Sequence, residues 1–314
     1  MPEHTFGAAT TAAEIVADVD LRGRRAVVTG ASSGIGVETA RALASVGAAV
    51  TLAVRNVEAG TKVANGIAEK LPAGAPAVQV APLDLADPAS VAGFVRSWSG
   101  PLHILVNNAG VMALPQLTRT PAGYEMQFAT NHLGHFAVAT GLHTSLADAG
   151  GARVVSVASI GHLFSPVVFD DLHYRFRPYD QWTSYGQSKS ANVLFAVGAA
   201  QRWAEDGITV NALMPGNVAS TALARHMGAD DLATFGERTE LGLPPVKTVE
   251  QGAATSVLLA ASPNVEGVTG CYYEDCAEAT IIPERAGHTG GVAPYALDHD
   301  NADRLWLISN ELTH

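Results

Sequence analysis

The sequence predicts a single α/β domain, built on a doubly wound parallel sheet of about seven strands with helices on both faces. Three observations lead to this fold class. Short apolar runs alternate with segments of helical periodicity, and glycine or polar residues follow the apolar runs. In addition, no linker, repeat or low-complexity tract interrupts the 314 residues. Buried parallel strands are continuously apolar, and the helices that connect them cover both faces of the sheet.

The strands and helices can be placed in order along the chain. The runs rich in apolar and β-branched residues predict strands at 24–30, 49–55, 77–85, 102–110, 152–159, 208–216 and 267–274. Helical periodicity predicts helices at 35–48, 89–98, 124–146 and 184–204. We expect 1–20 to be an N-terminal extension and 21–314 to be one domain. Within it, a substrate-loop region lies at about 217–245 and a C-terminal extension at about 277–314.

Composition excludes several classes of protein. Hydrophobic residues make up 47% of the chain, which is enough for a large core. The net charge of −11 argues against nucleic acid as a partner, because phosphate backbones are bound by clustered lysine and arginine. Cys271 and Cys276 are too few for a disulfide framework and favour a reduced, cytoplasmic compartment. We expect neither a secretory signal nor a membrane span, because no suitable apolar stretch occurs.

A glycine-rich loop, "TGASSGIG", follows the first predicted strand and opens onto a predicted helix. Glycines permit a tight turn, and a helix N-terminus offers free N–H groups and a positive dipole end to a pyrophosphate. This order of strand, loop and helix predicts a dinucleotide site in a Rossmann fold. The residues predicted to contact the cofactor here are Gly30, Ser32, Ser33, Gly34, Ile35 and Gly36.

The ends of the second and third strands indicate which dinucleotide binds. No carboxylate ends the second strand; Arg55 and Asn56 stand there instead. A guanidinium suits a 2′-phosphate, so we predict NADP(H) rather than NAD(H), although a solvated surface arginine is the alternative. Asp84 ends the third strand, where it could accept a hydrogen bond from the adenine amino group. Asp87, just before Pro88, is the better candidate for a helix N-cap.

The stretch "YGQSK" places Tyr185 and Lys189 on one face of a predicted helix, one turn apart. The chain has seven tyrosines and only four lysines, so such a pair is unlikely by chance. A free tyrosine titrates near pH 10, too high for an efficient base, and a nearby ammonium lowers that pKa. The pair therefore predicts a proton donor and the charge that tunes it. Decoration of a helix surface is the alternative.

Together these motifs resemble the short-chain dehydrogenase/reductase family, and they occur in its order from about residue 24 to 274. The motifs are the glycine loop, "NNAG" at 107–110, Asn131, Ser159, "YGQSK" and "PGNVAST" at 215–221. "FATNHLGHF" and the pair Ser159 and His162 further resemble the retinol-dehydrogenase-like branch. That branch includes the WW-domain oxidoreductases and is close to the protochlorophyllide reductases.

The resemblance implies a catalytic tetrad of Asn131, Ser159, Tyr185 and Lys189. In the family, the tyrosine exchanges the proton and the serine binds the substrate oxygen. The lysine contacts the nicotinamide ribose, and the asparagine holds a water that relays protons. Ala158 departs from the branch, which commonly has a second serine there. Ser156 is a poor alternative to Ser159 because it lies in the middle of the predicted strand, whereas Ser159 stands at its end.

Further cofactor contacts and a substrate pocket follow from the same resemblance. The additional cofactor residues are Leu85, Asn108, Ala109, Gly110, Tyr185, Lys189, Pro215, Gly216, Val218 and Thr221. Two variable segments, 161–183 and 217–245, carry aromatic and apolar residues and favour a hydrophobic ketone, aldehyde or alcohol. The candidate pocket residues are Met112, His162, Phe164, Trp182, Leu223 and Met227. No metal is expected, because His132 and His135 lack a third ligand.

The sequence thus predicts an NADP(H)-dependent carbonyl reductase or alcohol dehydrogenase. One alternative is reduction of an activated carbon–carbon double bond, with Tyr185 protonating carbon. Another is a non-catalytic NADP(H)-binding sensor, although such proteins in related folds typically lose the tyrosine or the lysine. A homodimer or homotetramer is expected, formed through the helices that carry Asn131 and Tyr185.

Overall fold

The computed structural model describes residues 6–218, 223, 245–286 and 288–313. Within these ranges the chain forms one eight-stranded sheet in the order β3-β2-β1-β4-β5-β6-β7-β8. The strands are β1 (Arg25–Thr29), β2 (Ala49–Val54), β3 (Gln79–Pro82), β4 (Ile104–Asn107), β5 (Arg153–Val157), β6 (Thr209–Met214), β7 (Tyr272–Glu274) and β8 (Ala277–Glu278).

The sheet has the doubly wound topology that the sequence predicts. Strands β1 to β7 pair in parallel, and only β7 with β8 is antiparallel. Strand β1 lies centrally: Val27 pairs with Thr51 of β2 on one side and with Leu105 of β4 on the other. The strand order reverses between β1 and β4, and ligands of such sheets bind at that switch point. The predicted α/β Rossmann-like fold is confirmed, with β8 as an added edge strand.

Helices cover both faces of the sheet. They are α1 (Ala12–Ile15), α2 (Gly34–Ser45), α3 (Val57–Ala68), α4 (Pro88–Ser97), α5 (Met126–Phe128), α6 (Gly134–Gly141), α7 (His143–Ala147), α8 (Gln181–Trp203), α9 (Val249–Ala261), α10 (Pro294–Leu297) and α11 (His299–Thr313). The sequence analysis missed α1, α3, α9, α10 and α11. Signals for two of them were present: Asn56 caps α3, and Thr248 with Gln251 forms a capping box on α9.

The predicted single helix over 124–146 is wrong. The segment forms α5, a π-helical turn at Ala129–Leu133, and then α6 and α7. A π turn inserts an extra residue into a helix and is common at functional sites. Here it contains Asn131, whose carbonyl accepts a hydrogen bond from His135 Nδ1 at 2.9 Å. The break therefore falls at a residue of the predicted tetrad.

Successive residues of a strand pack into two separate hydrophobic cores, because their side chains alternate between the two faces of the sheet. Val28 and Val106 pack on the face covered by α2 and α9. Val27 and Leu105, their neighbours, pack on the opposite face, where Phe94 of α4 and Phe195 of α8 also lie. Both faces are thus closed by apolar side chains, and the carboxyl edge of the sheet is where the loops with polar motifs gather.

Both chain extensions pack onto this core. Ala12 and Ile15 of α1 are buried against α9. At the other end, Trp306 of α11 lies edge-on to Phe136 with ring centroids 4.9 Å apart, and it stacks on Phe195 of α8. Almost all of α8 is buried within its own chain as a result. The homo-oligomer expected from the sequence, formed through the helices that carry Asn131 and Tyr185, stays a prediction.

Two expectations about the environment can be compared with the described residues. Cys271 and Cys276 are free thiols. None of the helices in the described ranges is both long enough and apolar enough to cross a membrane.

Candidate active site

The site lies where four neighbouring parallel strands end. Strands β1, β4, β5 and β6 finish at Thr29, Asn107, Val157 and Met214 and are adjacent in the sheet. The glycine loop, the "NNAG" turn, the Ser159 turn and the "PG" loop therefore emerge from the same edge. This is the convergence that the sequence indicates, because carboxyl ends of parallel strands share an edge.

The glycines of the first loop allow the chain to approach itself closely. Gly30 and Gly34 have positive φ values of 67° and 61°, which favour glycine. A methyl group on Gly30 would lie 2.8 Å from the Ala109 Cα, and one on Gly36 would lie 2.5 Å from the Asn108 amide nitrogen. Two of the three glycines thus make room for the "NNAG" turn, in addition to opening the helix N-terminus.

Thr29 joins the first loop to that turn. Its hydroxyl accepts hydrogen bonds from the backbone N–H groups of Asn108 at 2.9 Å and Ala109 at 3.0 Å. The Asn108 side-chain amide in turn donates to the Thr29 carbonyl at 2.7 Å. Asn108 and Ala109, both predicted cofactor contacts, are therefore held against the end of β1. Gly110 follows them, and a methyl group there would lie 3.3 Å from Asn131 Oδ1 and 3.7 Å from Lys189 Nζ.

The glycine loop and helix α2 offer donors to a phosphate group. Helix α2 begins at Gly34, and its N-cap residue Ser33 is exposed and makes no side-chain capping bond. Ser32 and Ile35 are half-buried beside it. Uncapped N–H groups at a helix N-terminus fit an anion, so this edge suits the pyrophosphate of a dinucleotide.

The predicted nucleoside residues lie at the next two strand ends. Arg55 is exposed directly after β2. Asn56 is also exposed, and its side chain caps α3 by accepting from Ala59 N at 3.0 Å. Asp84 is half-buried and accepts from Ala86 N at 3.0 Å, while Asp87 caps α4 as the sequence indicates.

Leu85 and Val218 differ from the other predicted cofactor residues. The Leu85 side chain is buried in the core, so only its backbone could meet a cofactor. Val218 packs against α9, where a methyl group on Gly252 would lie 2.4 Å from its Cγ2. Pro215 and Gly216 follow β6 directly, with Gly216 at a φ of 90°. Thr221 lies outside the described residues.

Tyr185 and Lys189 lie one turn apart on α8 and are both buried, with 2% and 3% of their surface exposed. The lysine Nζ lies 5.6 Å from the centroid of the tyrosine ring and donates to the Val157 carbonyl at 2.9 Å. Ser159 stands two residues beyond β5, and its side chain lies close enough to Tyr185 to lower the pKa of the phenol. The same hydroxyl accepts from Gly161 N at 3.0 Å. Three of the four predicted tetrad residues thus meet at the end of β5.

The fourth residue, Asn131, acts as a clamp. Its amide nitrogen donates to the Val111 carbonyl and to Ser188 Oγ, both at 2.9 Å, and its Oδ1 accepts from Val111 N at 2.8 Å. Ser188 in turn donates to the Tyr185 carbonyl at 2.7 Å. The side chain therefore ties the loop after β4 to the helix that carries Tyr185 and Lys189.

Burial opposes the charged forms of both α8 residues. It raises the pKa of Tyr185 to about 12, and the nearby Ser159 hydroxyl only partly offsets this effect. It lowers the pKa of Lys189 to about 7. The expectation that Lys189 makes Tyr185 more acidic than a free tyrosine is therefore not met by these residues on their own. A phenol that stays protonated is nevertheless suited to donating a proton.

Two glycines that the sequence analysis did not consider allow the turn after Ser159 to pack closely against the tyrosine ring. A methyl group on Gly161 would lie 2.7 Å from Tyr185 Cε1. A methyl group on Gly186 would lie 2.6 Å from the Gly161 carbonyl oxygen. The turn after Ser159 can pack this closely against Tyr185 only because both positions lack a side chain. The available signal was a glycine two residues beyond the candidate serine.

His135 is a third residue that the sequence analysis missed as part of the site. Its Nδ1 donates to the Asn131 carbonyl, and its Nε2 lies 2.8 Å from the Thr29 hydroxyl. Burial lowers its pKa to about 4, so the ring is neutral, and Nε2 accepts from Thr29. The histidine thus connects the π turn of Asn131 to the strand that leads into the glycine loop.

The structure contradicts part of the predicted substrate pocket. His162 is buried and hydrogen-bonded on both ring nitrogens within the protein, so it does not line a pocket. Trp182 is also buried, with its ring edge-on to Phe164. Tyr174 belongs to the core and Phe176 is 91% exposed, so the aromatic residues of 161–183 mostly support the fold. Met112, Phe164 and Leu223 are half-buried, and Met227 lies outside the described residues.

A cavity of about 670 Å³ opens beside the "PG" loop. Its lining mixes Met214 and Ile282 with the charged groups of Lys247, Glu274 and Asp275. The described members of the predicted substrate set do not line it. Charged groups of the lysine and of the two acids thus lie beside the apolar residues of this cavity. The hydrophobic substrate pocket expected from the sequence stays a prediction.

The histidines are used in packing and hydrogen bonding. His132 Nε2 lies 2.7 Å from Ser309 Oγ of α11, and burial lowers the pKa of this histidine to about 3. Among the residues that the structure describes, no group of three potential ligands could hold a metal ion.

Comparison with known proteins shows the family to which the chain belongs. The family described as short chain dehydrogenase matches residues 24–231. A probable oxidoreductase of Streptomyces antibioticus is 56% identical over 292 residues, covering 92% of this chain and 97% of its own. Human retinol dehydrogenase 12 is 38% identical over 298 residues, which cover 94% of this chain and 88% of that protein. A crystal structure of an uncharacterised protein from Mycobacterium paratuberculosis superposes with a TM-score of 0.73 at 33% identity, covering 97% of both chains. The chain is therefore an oxidoreductase of the short-chain dehydrogenase/reductase family.

Proposed function

We propose that this oxidoreductase uses NADP(H) to interconvert a hydrophobic ketone or aldehyde and the corresponding alcohol. One observation carries the proposal. Tyr185 is buried next to Lys189, and the Ser159 hydroxyl lies close enough to lower its pKa, at the sheet edge where the glycine loop begins. A phenol, an ammonium and a hydroxyl in this arrangement suit the transfer of one proton to an oxygen that gains charge.

In the direction of reduction, Tyr185 donates its phenolic proton to the substrate oxygen. Its pKa of about 12 keeps the phenol protonated at neutral pH, so the donor is always in the required form. Ser159 hydrogen-bonds the same oxygen and stabilises the negative charge that develops there. In the direction of oxidation, the phenolate is the base, and burial makes that form scarce at neutral pH.

Lys189 would favour the phenolate over the level that burial alone sets, although it does not bring the pKa of Tyr185 below that of a free tyrosine. With a pKa of about 7 it exists in both protonation states near neutrality. Its charged form, 5.6 Å from the phenol ring, favours the phenolate. Asn131 holds the loop at Val111 against the helix at Ser188. A relay water could donate a hydrogen bond to the backbone carbonyl or to Oδ1 of Asn131, since each oxygen can accept more than one hydrogen bond.

The chain's own groups fit a nicotinamide dinucleotide phosphate. A bound NADP(H) supplies or accepts the hydride. The N-terminus of α2 would hold the pyrophosphate, and Arg55 would pair with the 2′-phosphate. Asp84 would accept from the adenine amino group, and Lys189 would contact the nicotinamide ribose. A reduced cytoplasmic compartment, in keeping with the free thiols, completes the proposal.

The test is a panel of apolar ketones, aldehydes, secondary alcohols and enones with NADPH or NADP⁺. We expect carbonyl reduction by the wild type and a fall in kcat of about 10³-fold in Tyr185→Phe, with NADPH binding unchanged. Tyr179→Phe, which alters a phenol outside the tetrad, is the matched control. Undiminished turnover by Tyr185→Phe would refute the proton donor. Reduction of enones only at the double bond would instead establish the alternative reaction.

A further inference from the structure

The last 22 described residues, 292–313, form a C-terminal segment that packs against the elements supporting the candidate active site. Tyr124 OH donates to the Leu312 carbonyl at 3.2 Å, and His132 meets Ser309. Closer to the chemistry, the Ala293 N–H donates to His162 Nε2 at 3.2 Å, and Tyr295 OH donates to the His162 carbonyl at 2.6 Å. His162 is therefore the residue at which the C-terminal segment meets the turn after Ser159.

The two partners of the His162 ring determine where its proton lies. An amide N–H can only donate, so Nε2 must be the unprotonated nitrogen. The other nitrogen, Nδ1, lies 2.7 Å from the Ser159 carbonyl, which can only accept. The proton is therefore on Nδ1. Burial lowers the pKa of the ring to about 4, which keeps it neutral at physiological pH.

The Ser159 carbonyl is held by this ring and by the backbone of the same turn. It accepts from His162 N at 3.0 Å as well as from Nδ1. The Ser159 hydroxyl closes the turn from its other side by accepting from Gly161 N. Gly161 in turn packs against the ring of Tyr185. A change at His162 would therefore move both the hydroxyl and the turn that supports the phenol.

We propose that His162 is a positioning residue, which holds the Ser159 hydroxyl in place and whose tautomer is selected by the docked C-terminal segment through the Ala293 N–H. The inference rests on the proposed function, because it takes Ser159 as the hydroxyl that meets the substrate oxygen. His162 itself does not contact the reacting atoms.

Two substitutions separate the ring's two hydrogen bonds. In His162→Asn, the amide nitrogen stands near the position of Nδ1 and can still donate to Ser159, but the link to Ala293 is lost. In His162→Gln, the longer side chain reaches the position of Nε2 and can accept from Ala293, but the donor to Ser159 is lost. Each variant is thus the control for the other.

We expect kcat of His162→Gln to fall by about 10- to 100-fold, as small misplacements of a catalytic group can cause. His162→Asn should stay within about fivefold of the wild type. Both should bind NADPH with unchanged affinity. Exchange of the Ala293 amide hydrogen should accelerate about tenfold or more in His162→Asn and stay slow in His162→Gln. Equal kcat values or equal exchange rates in the two variants would overturn the proposal.

A measurement on the wild type needs no turnover. Nitrogen-15 NMR of the histidine rings, with His162 assigned from the spectrum of a variant, should show a neutral ring protonated on Nδ1 at pH 7. A ring protonated on Nε2, or on both nitrogens, would overturn the proposal even if a variant fails to fold. If instead the wild type turns over no carbonyl, the proposed function fails, while the NMR and exchange results still decide the role of His162.

Discussion

The nucleotide half of the site and the catalytic half are built differently. On the nucleotide side, Ser33, Arg55 and Asn56 are exposed, and hydrogen bonds such as that from Ala59 to Asn56 span only three residues. On the catalytic side, Asn131 and Tyr185 are buried, and their bonds reach far along the chain. Asn131 and Ser188 are 57 residues apart, and His162 and Ala293 are 131 apart. The outer part of the predicted cofactor site therefore depends on exposed local motifs, and its long-range bonds are those that hold Asn108 and Ala109 to Thr29. The proton-transfer geometry depends on contacts between distant segments throughout.

Of the substitutions considered, Lys189→Met and Tyr185→Phe should lower turnover the most. We expect kcat to fall by about 10³-fold, because the charge that favours the phenolate is gone. The fold should become more stable at pH 6, because the wild type must bury an ammonium there. The contribution of Lys189 to wild-type stability rises between pH 7 and 10.5, since the unfolded lysine, with a pKa of 10.5, binds more protons than the folded one, with a pKa of about 7. The advantage of the variant should therefore shrink across that window.

Chemical denaturation at several pH values, together with steady-state kinetics, measures both effects. Lys62→Met, at an exposed lysine on α3, is the control and should change neither quantity. Parallel stability curves for the wild type and Lys189→Met would contradict the assignment of a low lysine pKa to burial.

Gly161→Ala tests how tightly the catalytic half is packed. The added methyl group would lie 2.7 Å from the Tyr185 ring, so the ring or the turn must move. We expect kcat to fall by about 100-fold while NADPH affinity stays unchanged. Gly66→Ala on α3 adds the same methyl group in open space and should leave kinetics intact. Equal kcat in the two variants would show that the ring tolerates displacement.

Arg55→Asp tests the nucleotide half alone. Loss of a charge-assisted pair with the 2′-phosphate should lower kcat/KM for NADPH by at least about tenfold and shift preference toward NADH. The kcat at saturating cofactor should change little, because Arg55 lies outside the catalytic half. Arg96→Asp makes the same charge change on α4. An unchanged ratio of NADPH to NADH activity would refute the role of Arg55.

Thr29→Val probes the connection between the halves and should have the smallest effect on turnover. Valine keeps the shape but leaves the N–H groups of Asn108 and Ala109 without their acceptor. We expect a loss of about 1–3 kcal/mol in the free energy of unfolding and only a modest rise in the NADPH dissociation constant. Denaturant titration measures the loss, and Thr61→Val, on the exposed face of α3, should stay within about 0.5 kcal/mol of the wild type.

Much of this architecture could be predicted because its signals are local. Apolar runs located seven strands, and the loop at Gly30 and the pair of Tyr185 and Lys189 marked both ends of the site. Helices α3 and α9 could have been found from their caps. The π turn at Asn131 could not, because it depends on hydrogen bonds to His135, Val111 and Ser188 rather than on helical periodicity.

By itself, then, the sequence determined the fold class, the sheet edge that carries the site and the residue types that meet there. It could do so because strand periodicity and glycine loops act over a few residues. The tertiary structure alone decided that His162 faces the C-terminal segment rather than a substrate. It also decided that burial raises the pKa of Tyr185 and lowers that of Lys189, which favours the neutral form of each. Both outcomes depend on contacts between distant segments and on exclusion of water, which no short stretch of sequence encodes.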